Sequence, residues 1–201
     1  MKKTFFLIIF LFSILNCYCQ TAKDYVDKGL SKHLREDNQG AMADFNKAIE
    51  INPNDEKAYY FRGRLKGELR DYYGAIADLN KVIELNPKYA DTYLQRGNLK
   101  EKLKDYQGAI ADYSKVIEAN PKDVEAYCSR GRSKSLIQDN QGAMEDVNKA
   151  IEINPQYTDA YCCRGIIKFA LGQKDSGCFD FSKAGELGNE AAYELIKKYC
   201  N

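Results

Sequence analysis

The chain has four prolines, Pro53, Pro87, Pro121 and Pro155; each follows an asparagine, and each stands 34 residues after the last. A fixed period of this length marks a chain built from one supersecondary unit stacked on copies of itself, because such a unit can bury its apolar face only against a neighbour. Other residues keep the same register. They are Gly29, Gly63, Gly97, Gly131 and Gly165; Tyr25, Tyr59, Tyr93, Tyr127 and Tyr161; and the small residues Ala41, Ala75, Ala109, Ala143 and Gly177.

Within each unit the apolar spacing is helical. Ala75, Ile76, Leu79, Val82 and Ile83 recur at three- and four-residue intervals and make one stripe. Asn-Pro then ends the helix, since proline disfavours the α conformation at the residue before it and lacks the N–H that a continuing helix needs. Stretches such as Asp71-Tyr72-Tyr73-Gly74 read as the turn between two helices of one unit. The pattern predicts antiparallel helix pairs at 22–35 with 38–51, 56–69 with 72–85, 90–103 with 106–119, 124–137 with 140–153, and 158–171 with 174–187. Glycine in the first helix and a small residue in the second let the two backbones approach, with Phe45, Leu79, Tyr113, Val147 and Phe181 filling the space around the contact. An apolar helix face is left over at the end of the stack. Residues 189–201 supply a capping helix for it, with Ala192, Leu195, Ile196 and Tyr199 on one side and Glu194, Lys197 and Lys198 on the other.

Residues 1–19 are of different material. Lys2 and Lys3 precede an uncharged apolar run from Thr4 to Leu15, the layout of a secretory signal peptide. The run is shorter than the roughly 20 residues a membrane span requires. The expected product is a secreted or periplasmic protein cut before Gln20. The alternative is a lipoprotein signal cut before Cys17, where Ile14-Leu15-Asn16-Cys17 loosely follows a lipobox and would leave the protein anchored to a membrane. Without residues 1–19 the chain carries 28 basic and 29 acidic residues, spread without like-charge blocks, so nothing recruits nucleic acid or an anionic membrane.

Few residues offer chemistry. The single histidine, His33, leaves no second imidazole for a triad or a metal site, and there is no Gly-rich phosphate loop and no His-Glu-x-x-His. No catalytic residue, metal or cofactor is expected. Asp44, Asp78, Asp112, Asp146 and Asp180 each lie sixteen residues after a basic residue, at Lys28, Arg62, Arg96, Arg130 and Arg164. Acids spread one per unit read as an ion-pair ladder between the two helices of each pair and not as a clustered calcium site. Cys178 sits at the core-facing register of Met42, Ile76, Ile110 and Met144, and Cys200 ends the capping helix. Antiparallel neighbours would bring these two sulfurs together as a disulfide, worth about 3 kcal/mol in the chain-entropy model. The alternative is two buried free thiols.

The 34-residue period with its Gly, Ala and Pro markers resembles the tetratricopeptide repeat. The resemblance covers 22–55, 56–89, 90–123, 124–157 and a degenerate fifth copy at 158–188, which has Gly177 for Ala and no closing proline. It departs from the family in having tyrosine throughout at the first aromatic position. The resemblance implies an all-α, right-handed superhelical solenoid of five helix-turn-helix repeats. It also implies a non-catalytic scaffold that binds a peptide or helical segment of another protein in the concave groove formed by the first helices. The groove positions are Lys57, Tyr60, Arg64 and Glu68; Asp91, Leu94, Asn98 and Lys102; Glu125, Cys128, Arg132 and Leu136; and Asp159, Cys162, Ile166 and Phe169. Some family members hold a peptide carboxylate with a Lys-Asn-Asn-Lys-Arg set; here only Asn98, Arg64 and Arg132 match, which argues against that ligand. Cys128 and Cys162 take equivalent groove positions one repeat apart. With helices roughly 8–10 Å apart, beyond the ~7 Å Cα limit of a disulfide, both are expected to be free thiols.

Overall fold

The computed structural model describes residues 20–200; the expected signal segment, with Cys17, lies outside the described residues. The described residues form eleven α-helices and no strands: α1 (Ala22–His33), α2 (Asn38–Ile51), α3 (Glu56–Glu68), α4 (Tyr72–Leu85), α5 (Ala90–Lys102), α6 (Tyr106–Ala119), α7 (Val124–Leu136), α8 (Asn140–Ile153), α9 (Thr158–Ala170), α10 (Lys174–Glu186) and α11 (Ala191–Tyr199). They stack as five helix-turn-helix pairs with α11 on the end. None of these helices is long and apolar enough to cross a membrane.

The first helix of each pair stops one or two residues before the sequence pattern places its end. The chain there turns through one left-handed residue, at Glu36, Arg70, Lys104, Gln138 and Gly172, with φ between 63° and 76°. That turn redirects the last amides, so Asp71 N–H reaches Lys66 C=O and Arg70 N–H reaches Gly67 C=O. This pairing satisfies carbonyls that a helix end otherwise leaves orphaned. The next helix starts at once. Asp37, Asp71, Asp105 and Asp139 cap it by accepting from the backbone N–H of Gly40, Gly74, Gly108 and Gly142 at 2.9–3.0 Å. Glycine is required at the third position because a Cβ on Gly74 would stand 2.1 Å from the Asp71 carboxylate. At the far end the Asn-Pro asparagines fold back, and Asn52, Asn86, Asn120 and Asn154 each accept from the N–H two residues on.

Packing within a pair depends on the absent glycine side chain in two ways. In the first, third and fifth pairs a ring lies on the glycine: a Cβ on Gly29, Gly97 or Gly165 would meet Phe45, Tyr113 or Phe181 at 2.5–2.7 Å. In the second and fourth pairs the filler is aliphatic: a Cβ on Gly63 would meet the Ala75 carbonyl oxygen at 3.2 Å, and one on Gly131 would meet Val147 at 2.7 Å and the Ala143 carbonyl oxygen at 3.1 Å. The last pair is tighter still. A Cβ on Gly177 would stand 2.8 Å from the Gly165 carbonyl oxygen, which accounts for the loss of alanine there.

The ion-pair ladder joins three helices at four of its five rungs, one more than the sixteen-residue spacing suggests. Arg96 donates through Nε and Nη2 to Asp112 on α6, at 2.9 and 2.6 Å, and through Nη1 to Asn80 on α4 at 2.6 Å. Arg62, Arg130 and Arg164 do the same with Asp78, Asp146 and Asp180 ahead and with Asn46, Ser114 and Asn148 behind. A lysine one helical turn on, Lys66, Lys100, Lys134 or Lys168, adds a second cation 2.8 Å from each aspartate. Each guanidinium also covers the ring of the register tyrosine three residues before it, at 5.4–5.6 Å. The first rung corrects the expected pairing: Asp44 meets Lys32 at 2.7 Å, while Lys28 lies over Tyr25. Among the described residues no helix precedes α1 to offer a rearward acceptor for a forked cation, and a lysine one turn later reaches the carboxylate.

At the other end α11 closes the stack. Ala192 is fully buried against Tyr161 and Ala184, and Tyr199 packs its ring on Phe169 and Phe181 at 4.7 and 5.8 Å. Cys178 and Cys200 are joined by a disulfide with Cα atoms 5.8 Å apart, tying the start of α10 to the end of α11.

Candidate binding groove

The odd-numbered helices touch one another in succession, α1 with α3, α3 with α5, α5 with α7 and α7 with α9, whereas no even-numbered helix of α2–α10 touches another. Rods that crowd on one side and spread on the other make a curved stack, so the odd helices line the inner face. Three cavities follow one another along it. The first, of about 410 Å³, lies between α1 and α3 and is walled by Leu30, Tyr60, Phe61 and Tyr89. The second, of about 260 Å³, lies between α3 and α5 with Arg64, Glu68, Asn98 and Lys102. The third, of about 290 Å³, lies between α5 and α7 with Asn98, Glu101, Glu125, Arg132 and Tyr157.

The groove residues read from the sequence divide into three groups. Arg64, Lys102 and Ile166 are exposed, and Asn98 lines two cavities while accepting from the Tyr113 hydroxyl at 2.8 Å. Tyr60, Leu94 and Cys128 stand at inner-face positions but are buried, so they are wall and not free surface. Tyr60 donates its hydroxyl to Asp91, and burial with that carboxylate raises its phenol well above the usual range. Cys128 lies against Cys163, with sulfurs 3.5 Å apart, and not against Cys162. Phe169 belongs to the α11 interface through Tyr199. Arg132 is committed to structure: its Nε and Nη2 donate to the Glu101 carboxylate of the preceding repeat at 2.7 and 3.1 Å.

Three residues that shape the groove escaped the sequence reading. Glu101 accepts from Arg132 and Ser133, lies 3.1 Å from the Tyr113 hydroxyl and so bridges two repeats, yet it occupies a register held by Gly67, Ser135 and Phe169, where nothing repeats. Tyr89 and Tyr157 left a legible signal. They fall at the position where Asp55 and Asp123 cap α3 and α7, and as tyrosines they leave α5 and α9 without a side-chain cap. A missing cap costs about 1 kcal/mol. What the two residues do instead is wall the first and third cavities, the Tyr89 ring tilted by 40° against Tyr60 with centroids 5.4 Å apart.

Charge is distributed by edge. Glu56, Asp91, Glu125 and Asp159 stand in the first turns of α3, α5, α7 and α9, where helix dipoles favour anions. Their mutual repulsion is felt: burial first, then Asp123 and Asp91, raise the Glu125 carboxyl above its ordinary value, and burial with Asp91 and Glu56 raises the Tyr89 phenol. Arg64 and Lys102 are exposed cations further along α3 and α5, Arg64 with Glu68 3.9 Å away, while the charge of Arg132 is taken up by Glu101. Among the described residues no group of three or more metal-ligating side chains is present.

Models of the family "Tetratricopeptide repeat" match residues 25–55, 56–89, 90–123 and 124–157. The fifth pair, with its unusually tight Gly165–Gly177 contact, falls outside those matches. No curated protein sequence matches the chain. Among solved structures it is similar to MamA, 26% identical over 90% of this chain and 96% of that one, with a TM-score of 0.76. It is also similar to residues 41 to the end of MamA from Desulfovibrio magneticus RS-1, 23% identical over 83% and 94%, with a TM-score of 0.78. YrrB, a TPR protein with an unusual peptide-binding site, is 19% identical over 92% and 96%, with a TM-score of 0.76. With four consecutive repeats matched over more than half of its length, the chain belongs to the tetratricopeptide repeat family.

Proposed function

We propose that the protein is a non-catalytic scaffold that holds an extended or helical segment of another protein along its inner face. The observation that carries this reading is the run of three cavities between successive odd helices, two of them walled by tyrosines that stand where a helix cap is otherwise found. Tyrosine supplies a large, rigid contact area at low entropic cost, the property that places it at binding surfaces. The acidic edge and the two exposed cations, Arg64 and Lys102, together give a bound segment one orientation.

Affinity capture from the source cells tests the groove. An Arg64→Ala/Lys102→Ala variant is expected to lose bound protein by about tenfold, the equivalent of ~1.4 kcal/mol. A Lys47→Ala/Lys115→Ala variant, altered on exposed positions of α2 and α6, is expected to capture as the wild type does. Arg132 is left in place because its removal would disturb Glu101. Equal capture by both variants would remove the inner face from consideration.

The setting we propose is outside the cytoplasm. The Lys2-Lys3 apolar leader and the Cys178–Cys200 disulfide support it, since such bonds persist in oxidising compartments. A soluble secreted form and an envelope assembly factor tethered through Cys17 differ at the mature N-terminus. Mass spectrometry is expected to find pyroglutamate from Gln20; a diacylglyceryl Cys17 would establish the tethered form, and an intact Met1 would rule out both.

A further inference from the structure

Cys128 on α7 and Cys163 on α9 are both buried, at 2% and 8% exposure, with their sulfurs in contact at 3.5 Å. They belong to one apolar cluster with Val147, Ala150 and Ile167 that spans the fourth and fifth repeats. The two thiols are packed among aliphatic side chains and hydrogen-bond to each other. What distinguishes the pair is its geometry. A disulfide bond is about 2.0 Å long, so closing this one needs an approach of about 1.5 Å between two side chains already aimed at each other. Cys162, at the position equivalent to Cys128, is half-buried and its thiol is pushed up to about 11 by burial, so it stays protonated. We propose that Cys128 and Cys163 are a redox-active dithiol that a peroxide closes to a disulfide, covalently joining the fourth repeat to the fifth.

The route is set by the surroundings. Cys128 forms part of the wall of the third cavity beside Arg132 and Cys163 lies 3.5 Å behind it, so a molecule as small as hydrogen peroxide would enter from the groove past Cys128. The S–H of Cys128 donates to the Cys163 sulfur, and this bond, helped by the Arg132 guanidinium, holds the Cys163 thiol below its ordinary range. The Cys163 thiolate attacks one peroxide oxygen, the O–O bond breaks, and the departing hydroxide takes up a proton to leave as water. The resulting sulfenic acid is attacked by the Cys128 sulfur; the S–O bond breaks and, with the Cys128 proton, a second water leaves. Two thiols are oxidised to one disulfide as one peroxide is reduced to two waters. The new bond and Cys178–Cys200 would then hold the fourth repeat, the fifth repeat and α11 in one covalent chain of contacts, stiffening the end of the groove that carries Tyr157 and Ile166.

The test is peptide mapping by mass spectrometry of the full chain, thiols blocked by alkylation under denaturing conditions, before and after exposure to hydrogen peroxide. A peptide linked through Cys128 is expected to appear in the wild type and in Cys162→Ser, and to be missing in Cys163→Ser. The thermal midpoint is expected to rise by roughly 5–10 °C on oxidation, as for closure of a loop of this length, and to return with dithiothreitol. A linked peptide that survives in Cys163→Ser, or sulfinic acid at Cys128 or Cys163 without any link, would overturn the proposal. So would two thiols that remain open to alkylation after peroxide has oxidised Cys162. The mapping of the wild type decides the matter even if a serine variant fails to fold.

Discussion

Replacing Arg96 by methionine is expected to lower the free energy of unfolding by about 3 kcal/mol, measured by equilibrium denaturation in urea. The reason lies in what the guanidinium leaves behind. The Asp112 side chain is 4% exposed and would keep only Lys100 as a countercharge; removing one member of a buried pair costs roughly 3–5 kcal/mol because the remaining charge is left uncompensated. The retained lysine puts the loss at the low end of that range. Methionine keeps the apolar stem that covers Tyr93, so the loss reports the charge and its hydrogen bonds and not the packing. The effect reaches two interfaces, since Arg96 also holds Asn80 of the preceding repeat. In a stack whose stability is a sum of repeats and nearest-neighbour contacts, weakening the middle is expected to split one unfolding transition into two. A double variant, Arg96→Met with Asp112→Leu, is expected to recover part of the loss. A single-variant loss below ~1 kcal/mol would mean that solvent screens these pairs as it does surface ones.

The second large effect is expected at the far end. Cys178→Ser with Cys200→Ser removes a bond that closes a 22-residue separation, worth about 3 kcal/mol. A nine-residue helix such as α11 has too few turns to persist by itself. Without the bond it is held by Ala192 and by Tyr199 on Phe169 and Phe181. Hydrogen exchange is therefore expected to show amides of α11 losing protection by about a hundredfold, with α10 following less and α1–α6 unchanged. Unaltered protection in α11 would show that the aromatic contacts suffice and that the disulfide is ornamental to the folded state.

How far the sequence carries depends on whether a property is local to one repeat. Helix positions were legible because Asn-Pro ends a helix, Asp-x-x-Gly marks the turn between two, and apolar residues three and four apart share a face; all three act within a few residues. The glycine register was legible for the same kind of reason, a close contact inside one pair. Even the alternation of aromatic and aliphatic fillers, Phe45, Leu79, Tyr113, Val147 and Phe181, stands in the sequence, as does the exchange of capping Asp55 and Asp123 for Tyr89 and Tyr157.

The inner face was legible only in outline, because it is made between repeats. Equivalent positions 34 apart are related by the twist and offset of the stack, which places Cys128 against Cys163 and leaves Cys162 half-exposed. The same offset carries Arg132 back to Glu101 and lets Tyr60 reach Asp91, so two residues of the expected groove serve the scaffold instead. The sequence by itself determined the repeat, the helices and the sixteen-residue pairing of arginine with aspartate, since each follows from steric and hydrogen-bonding rules over short separations. Only the tertiary structure decided which side chains meet across the repeats, because a rotation of a few degrees between stacked helix pairs, set by the whole packed core, moves a side chain tip by the ångströms that separate a contact from a gap.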